Sequence, residues 1–170
     1  MTDQEPRRPR RWPLPLALVL LVLAGSCLLV LGDRAEAQAE ANRALTDGQT
    51  TAEVVGDVGN ALGRIFSYTP ADTAATAKAA DALLDGPAAA QYRSLFAQVK
   101  QQVADQKLTL TTRVVRAGVT ELSGEQAKLL VFLDQTSQRE GKAASTAAAQ
   151  LSVTARRTGG HWRITELKAR

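Results

Sequence analysis

The sequence of 170 residues has few of the side chains that most often build catalytic and metal sites. It contains one cysteine and one histidine, and aromatic residues make up 4% of it. A single cysteine excludes an internal disulfide, and one histidine with one cysteine is too few for a usual zinc site. We therefore expect neither a metal nor another cofactor.

Basic residues are not gathered into one stripe. The formal net charge is +4, from 21 basic and 17 acidic residues. Arg7, Arg8, Arg10 and Arg11 stand together near the start, whereas the other basic residues are scattered among acidic ones without interleaved aromatics. A protein surface that follows a phosphate backbone needs a basic patch on one face. The sequence therefore predicts no nucleic-acid partner.

One long uncharged run covers residues 13–32. Its apolar core begins at Leu14 and ends at Leu31, and as a helix it spans about 27 Å, close to the roughly 30 Å of bilayer hydrocarbon. Trp12 stands where an interfacial aromatic is expected, directly after the four arginines. The pattern predicts a retained anchor in the cell membrane, with a cytoplasmic basic tail over 1–12, a transmembrane helix over 13–32 and an extracytoplasmic remainder.

Two other interpretations of this run stay open. The segment AEAQAEA at 35–41 offers small-residue matches for signal-peptide cleavage, although the run is longer than the about 7–15 apolar residues of a cleaved signal. LAGSC, which ends at Cys27, superficially resembles a lipoprotein signal. Ala24 replaces the usual large aliphatic residue there, and apolar residues follow the cysteine, so the retained anchor explains the run best.

The chain that follows the anchor has helical periodicity up to Asp105. Residues 33–49 are polar, alanine-rich and alternately charged, which predicts a stalk or helical linker. Apolar residues then recur at helical spacing in three segments, which are separated by a break at Pro70 and a stop at Gly86. Three helices are therefore expected.

From Lys107 the apolar period changes from 3.6 to 2, which indicates strands. Four strands follow, with turns at 123–125, 139–143 and 158–160. The adjacent pairs TT and VV in the first strand indicate a bulge or a sharp twist. Helices followed by antiparallel strands give an α+β class, and the whole predicted extracytoplasmic domain covers 50–170.

Five segments, in this order, resemble a known family: IFSYTPAD, LLDGPAAAQYRSLF, VVRAGV, LLVFLDQ and GGHWRITEL. With the basic tail and one membrane helix, this order resembles the Mce-associated membrane proteins, which are single-pass accessory proteins of bacterial mammalian-cell-entry lipid-import systems. The resemblance implies a nuclear-transport-factor-two-like cone, in which helices pack into the concave face of a curved antiparallel sheet. It also implies a non-catalytic role in assembling or stabilising a lipid or sterol importer, with importer subunits as partners.

Seven residues of the predicted domain are expected to line its core or a pocket inside the cone. An apolar pocket of this kind would hold a lipid or sterol, so direct ligand binding remains an alternative function. The seven are Leu62, Phe66, Tyr92, Phe96, Phe132, Trp162 and Ile164.

A proton-transfer enzyme is the second alternative, because an acid or base in a cone pocket can move a proton next to a carbonyl. Asp134 follows an apolar strand, but its ordinary interpretation is a strand-end carboxylate paired with an arginine. Asp57 is expected to face solvent, on the side of its helix opposite the apolar residues. No phosphate loop, nucleophile elbow or paired carboxylate motif accompanies them, so we expect no enzyme.

Two further titratable residues lie in the last predicted strand. Glu166 alternates with Trp162 and Ile164, which predicts a shared face. His161 follows a tight glycine turn and is expected at the exposed start of the strand, turned away from the face of Trp162.

Overall fold

The computed structural model describes residues 42–170. Three helices precede four strands, as the sequence predicts, and the α+β class is confirmed. The predicted anchor, with Trp12, Leu14 and Leu31, lies outside the described residues. The bounds are α1 Gly48–Ile65, α2 Thr73–Leu83, α3 Gly86–Asp105, β1 Thr109–Ser123, β2 Gln126–Gln138, β3 Ser145–Thr158 and β4 His161–Ala169.

The strands form one antiparallel sheet in the order β1-β2-β3-β4. Glycines occupy the tight turns between them. Gly124 has a φ of 56°, and Gly159 and Gly160 have φ of 61° and 84°. Because these left-handed conformations cost glycine little, the chain reverses within two residues and neighbouring strands pair directly.

Helices α1, α2 and α3 cover one face of the sheet, called the inner face below, and none of these three lies on the opposite, outer face. Burial alternates along β2 as a result. Leu129, Val131 and Leu133 point inward and are at most 2% exposed, whereas Phe132 points outward and is 43% exposed. The inner face and the buried sides of the helices form one apolar core.

Register shifts at three places change which side chains face inward. In β1 the register shifts between Val114 and Arg116, which confirms the bulge expected at the VV pair, and again between Val119 and Glu121. In β4 the register shifts around Thr165, so that Ile164 pairs with Ala155 but Glu166 pairs with Thr154. The extra residue reverses the alternation, and Leu167 packs inward while Glu166 lies on the outer face. The prediction that Glu166 shares the face of Trp162 is therefore wrong.

Both edges of the sheet are partly covered by segments between the helices. Tyr68 exchanges two backbone hydrogen bonds of 2.9 Å with Leu110 at the β1 edge. At the β4 edge, Leu84 forms a parallel bridge with Ile164, and the Asp85 amide donates to the Ile164 carbonyl at 2.8 Å. Pairing at these edges uses backbone groups that otherwise attract another strand.

The residues before α1 are also tied to the sheet. The Arg43 amide donates to the Leu122 carbonyl at 2.7 Å, and the Leu122 amide donates to Oδ1 of Asn42 at 2.9 Å. Asp47 then caps α1, and the hydrogen bond from the Thr50 amide lowers the pKa of Asp47. Residues 42–47, within the segment predicted as a linker, therefore contact the end of β1.

Candidate functional site

Most of the predicted pocket residues lie together in the core. Their side chains fill the space between the helices and the inner face, and Phe66 is partly buried against the others. Five are at most 8% exposed, namely Leu62, Tyr92, Phe96, Trp162 and Ile164.

An aromatic cluster closes the interior between α1 and α3. The ring of Tyr92 stacks on Phe96 with centroids 5.3 Å apart and lies 6.2 Å from Phe66. The Tyr92 hydroxyl donates to the Ile65 carbonyl at 2.7 Å, and burial raises the pKa of Tyr92. The phenol therefore stays neutral at physiological pH and serves as a buried hydrogen-bond donor.

Two residues outside the predicted set complete this region. Tyr68 adds an edge-to-face contact with Phe96 at 6.0 Å. Thr112, 5% exposed, donates from its hydroxyl to the Phe66 carbonyl at 2.7 Å and accepts from Gln135 at 3.1 Å. The position of Thr112 on the same period-2 face as Leu110 and Val114 was its only signal in the sequence.

The space beside the aromatic cluster is small. A hollow of about 230 Å³ lies between α2 and α3, open to solvent and bordered by Tyr92, Phe96, Arg93 and Lys100. Pockets that bury most of a drug-sized ligand usually measure about 300–1,000 Å³. The aromatic side chains thus fill this part of the interior and leave little room for a lipid.

Phe132 does not belong to this core. It lies on the outer face of β2, opposite Arg116 of β1 and Gln150 of β3, and is 43% exposed. Its sequence neighbours Val131 and Leu133 occupy the inward positions instead. The prediction that Phe132 lines the core or pocket is corrected accordingly, because β2 is covered by helices on one face only.

The outer face has a ridge with hollows on both sides. Phe132 and the half-buried Leu130 form the ridge on β2. Gly118 and Ser152, which pair with Leu130 on the neighbouring strands, are small and rise little above the sheet. One hollow, of about 630 Å³, lies around Asp134. The other, of about 500 Å³, lies beyond Leu130 and is lined by Lys128, Gln150, Ser152, Glu166, Lys168 and Arg170. The ridge and the two hollows are together called the outer patch below.

The residues considered for proton transfer lie in two places, because Asp57 and His161 line one open groove of about 470 Å³ between α1 and the start of β4, whereas Asp134 lies on the outer face. Asp134 is 54% exposed and lies 3.9 Å from Nη2 of Arg113 on the outer face. His161 is exposed at the start of β4. Asp57 is half-buried rather than facing solvent freely, and its Oδ2 accepts from the Trp162 amide at 3.4 Å. Within residues 42–170, no hydrogen bond or ion pair joins the side chains of any two of these three residues.

Glu166 is held by cations of the outer patch. Lys168 Nζ lies 2.7 Å from Glu166 Oε1, and the hydrogen bond from Lys168 lowers the pKa of Glu166. Within residues 42–170, no group of three or more His, Cys, Asp or Glu side chains is placed to hold a metal ion. The carboxylates of this region therefore act in surface ion pairs.

Comparison with known proteins places the chain in a mycobacterial family. No protein-family model matches it. The Mycobacterium tuberculosis protein Rv1362c is 31% identical over 160 residues, which cover 91% of this chain and 70% of Rv1362c. The chain belongs to the Rv1362c family. A second relative from the same organism, the outer membrane protein Rv1973, is 29% identical over 89% of this chain and 90% of its own length.

Solved structures identify the fold of this Rv1362c-family domain. CagV, a VirB8 homologue of the type IV secretion system of Helicobacter pylori, superimposes with a TM-score of 0.59. The match covers 69% of this chain and 96% of CagV at 10% sequence identity, so it shows a shared fold alone. The domain has the nuclear-transport-factor-two-like cone fold, as expected. No helix between residues 42 and 170 is long and apolar enough to cross a bilayer.

Proposed function

We propose that the protein is a non-catalytic, single-pass accessory protein of the cell envelope that helps assemble or stabilise an Mce-type lipid or sterol import complex. The order of sequence segments, which resembles that of the Mce-associated proteins, supports this assignment. The predicted anchor over 13–32 and the relative named as an outer membrane protein support a place in the envelope. The cone domain then lies outside the cytoplasm.

The observation that carries the proposal is the outer patch. Phe132 is 43% exposed beside the half-buried Leu130, on a sheet face that no helix of residues 42–170 covers. Clustered apolar exposure on a folded domain favours a protein-contact surface, and aromatic side chains are enriched in the buried centres of such interfaces. The importer subunit is expected to bury Phe132 and to fill the hollows beside it.

The filled interior favours assembly over direct lipid capture. Tyr92 and Phe96 stack in the core between the helices and the sheet, and the hollow beside them measures only about 230 Å³. Asp134 and His161 are exposed, and no hydrogen bond joins His161 to Asp57 although both line one open groove. This favours a non-catalytic role, because a general base needs a partner and a sheltered position.

Co-purification from mild detergent tests the proposal. The full chain carries an affinity tag, and the importer permease and Mce subunits are quantified by mass spectrometry. Phe132→Ser is compared with Leu95→Ser, because Leu95 is a matched exposed apolar residue, 53% exposed, on α3 away from the sheet. We expect the wild type and Leu95→Ser to recover importer subunits, and Phe132→Ser to recover at least about tenfold less, which corresponds to 1.4 kcal/mol of binding free energy.

Both variants change exposed residues, and a thermal melt checks that each remains folded. Failure of the wild-type chain to recover any importer subunit contradicts the proposed function. Equal loss of recovery in both variants, or loss in Leu95→Ser alone, contradicts the assignment of the outer patch as the contact surface.

A further inference from the structure

An arginine lies directly beside the exposed aromatic side chain of the outer patch. Arg116 of β1 pairs in register with Phe132 of β2, on the face away from the helices. Side chains that oppose each other in an antiparallel pair have Cβ atoms about 4.5–5.5 Å apart. Arg116 is exposed, and Phe132 is 43% exposed. A protein that covers Phe132 therefore also covers Arg116.

The strands offer Arg116 no unpaired carboxylate. Strands β1 to β4 carry three carboxylates in all, and each already forms an ion pair with a lysine or arginine. The pairs are Asp134 with Arg113, Glu121 with Lys128 and Glu166 with Lys168, with N–O distances of 3.9, 2.6 and 2.7 Å. Arg116 itself forms no ion pair with any of the residues 42–170. No side chain of this part of the protein balances its charge.

Two more arginines of the outer face form no ion pair with residues 42–170. Arg156 is exposed on β3, next to the inward-facing Ala155. Arg170, directly after β4, donates from Nε to Oγ of Ser152 at 2.8 Å. Cations therefore exceed carboxylates on the outer face. Two copies that met through this face would bring like charges together, which disfavours self-association.

Burial of Arg116 in an interface requires a compensating charge. A guanidinium that loses its water without gaining an anionic partner destabilises the complex. A carboxylate matches the planar guanidinium best, because it accepts two parallel hydrogen bonds. Arginine and aromatic residues are both enriched among the side chains that dominate binding energy. A partner that covers Phe132 is therefore expected to bring a carboxylate to Arg116.

We propose that the outer patch binds a protein surface on which an aspartate or glutamate lies beside apolar side chains. The carboxylate binds Arg116, and the apolar side chains cover Phe132 and Leu130. This contact rests on the proposed function, because it specifies the surface that an importer subunit brings to the outer patch.

A protein fits the outer patch better than an anionic bilayer does. The hollows on either side of the ridge measure about 630 and 500 Å³. Side chains of a protein partner can fill such hollows, as they do in well-packed interfaces, whereas a flat layer of headgroups cannot. The carboxylates of Glu121, Asp134 and Glu166 would also face the negative charge of anionic lipids. Shape and charge both favour a protein.

Charge reversal at Arg116 tests the contact. The tagged full chain is purified in mild detergent, and importer subunits are quantified by mass spectrometry for Arg116→Glu and for the control Arg64→Glu. Arg64 is an exposed arginine on α1 that also forms no ion pair with residues 42–170. We expect Arg116→Glu to recover at least about tenfold less importer subunit than the wild type, and Arg64→Glu to stay within about twofold. Thermal melts check that both variants remain folded.

Zero-length crosslinking identifies the group that contacts position 116. Arg116→Lys keeps the positive charge and introduces an amine, which a carbodiimide joins to a carboxylate in direct contact. In intact membranes, we expect this amine to be joined to an aspartate or glutamate of an importer subunit. The matched variant Arg64→Lys is expected to give no importer adduct.

The remaining outcomes overturn the contact, and they separate it from the proposed function. If the wild type recovers importer subunits and Arg116→Glu recovers as much, or if both charge reversals lose equally, the contact at Arg116 is wrong and the proposed function stands. Loss in Arg116→Glu without an importer adduct at position 116 indicates a lipid headgroup, and an adduct only with a second copy of this chain indicates a dimer. Either result overturns the proposal. A wild type that recovers no importer subunit contradicts the proposed function and this contact with it.

Discussion

The two faces of the sheet differ although their residues alternate along the same strands. Val131 and Phe132 are adjacent in β2, yet Val131 is fully buried against the helices and Phe132 is 43% exposed. Both are apolar, so hydrophobicity alone does not explain their positions. The inner apolar residue stabilises the fold, whereas the outer one leaves apolar surface available to a partner.

Charged residues on the outer face form exposed ion pairs, in contrast to the apolar packing of the inner face. Ion pairs on the outer face surround the ridge, with Lys128 2.6 Å from Glu121 and Lys168 2.7 Å from Glu166. Exposed pairs of this kind contribute little to stability, about 0–1 kcal/mol each. The outer face is therefore expected to tolerate substitution without unfolding, and the inner face is not.

Truncation of an inward residue is expected to have the largest effect on stability. Leu129 is 2% exposed on the inner face, and Leu129→Ala removes buried apolar volume that its neighbours cannot refill. The expected loss in unfolding free energy is about 3 kcal/mol, measured by urea denaturation. Leu130→Ala, on the opposite face of the same strand, is the matched control and should lose less than about 1 kcal/mol. Equal losses of unfolding free energy in the two variants would show that the inner and outer faces do not differ in their contribution to stability.

A smaller effect on stability is expected from removing the buried hydroxyl of Tyr92. Tyr92→Phe keeps the ring stacked on Phe96 but removes the hydroxyl that donates to the Ile65 carbonyl. The buried carbonyl loses its donor, so the unfolding free energy should fall by about 1–2 kcal/mol. Denaturation at pH 7 measures the change. No loss of stability would show that this hydrogen bond does not support the inner packing.

The smallest effect is expected at an outer ion pair. Because Lys168 lowers the folded pKa of Glu166, its contribution to stability is present above the unfolded pKa and lost as the pH falls through the folded pKa. Glu166→Gln should lower the melting temperature slightly at pH 7, and this difference from wild type should disappear near pH 3. Thermal melts at both pH values measure it. A difference that grows on acidification contradicts the assigned sign.

The sequence predicts the order of elements because their local signals agree. The change of period at Lys107 and the left-handed glycines of the 158–160 turn specify the strands. In the run LLVFL, apolar residues occupy both the inward and the outward positions of β2, so the sequence does not show which side chains face the core. The pattern therefore predicts the wrong face for Phe132. The extra residue at Thr165 has no local signal either, so the outward position of Glu166 depends on pairing with β3.

The groove between α1 and the start of β4, lined by Asp57, Arg64 and Trp162 among others, also depends on tertiary structure. Asp57 and Arg64 are readable as one stripe of a helix, but Trp162 joins them only after the sheet forms. Nothing local indicates that the Trp162 indole N–H is buried without a partner. Its detection requires the packed arrangement of α1, α2 and β4.

Site-specific photocrosslinking in intact cells tests the central claim most directly. A photoreactive phenylalanine analogue replaces Phe132 on the outer patch or Leu95 on α3 in the full-length chain, and the adducts are identified by mass spectrometry. The account predicts adducts with an importer subunit from position 132 and none from position 95. Adducts with that subunit only from position 95, or no importer adduct from either position, would contradict it.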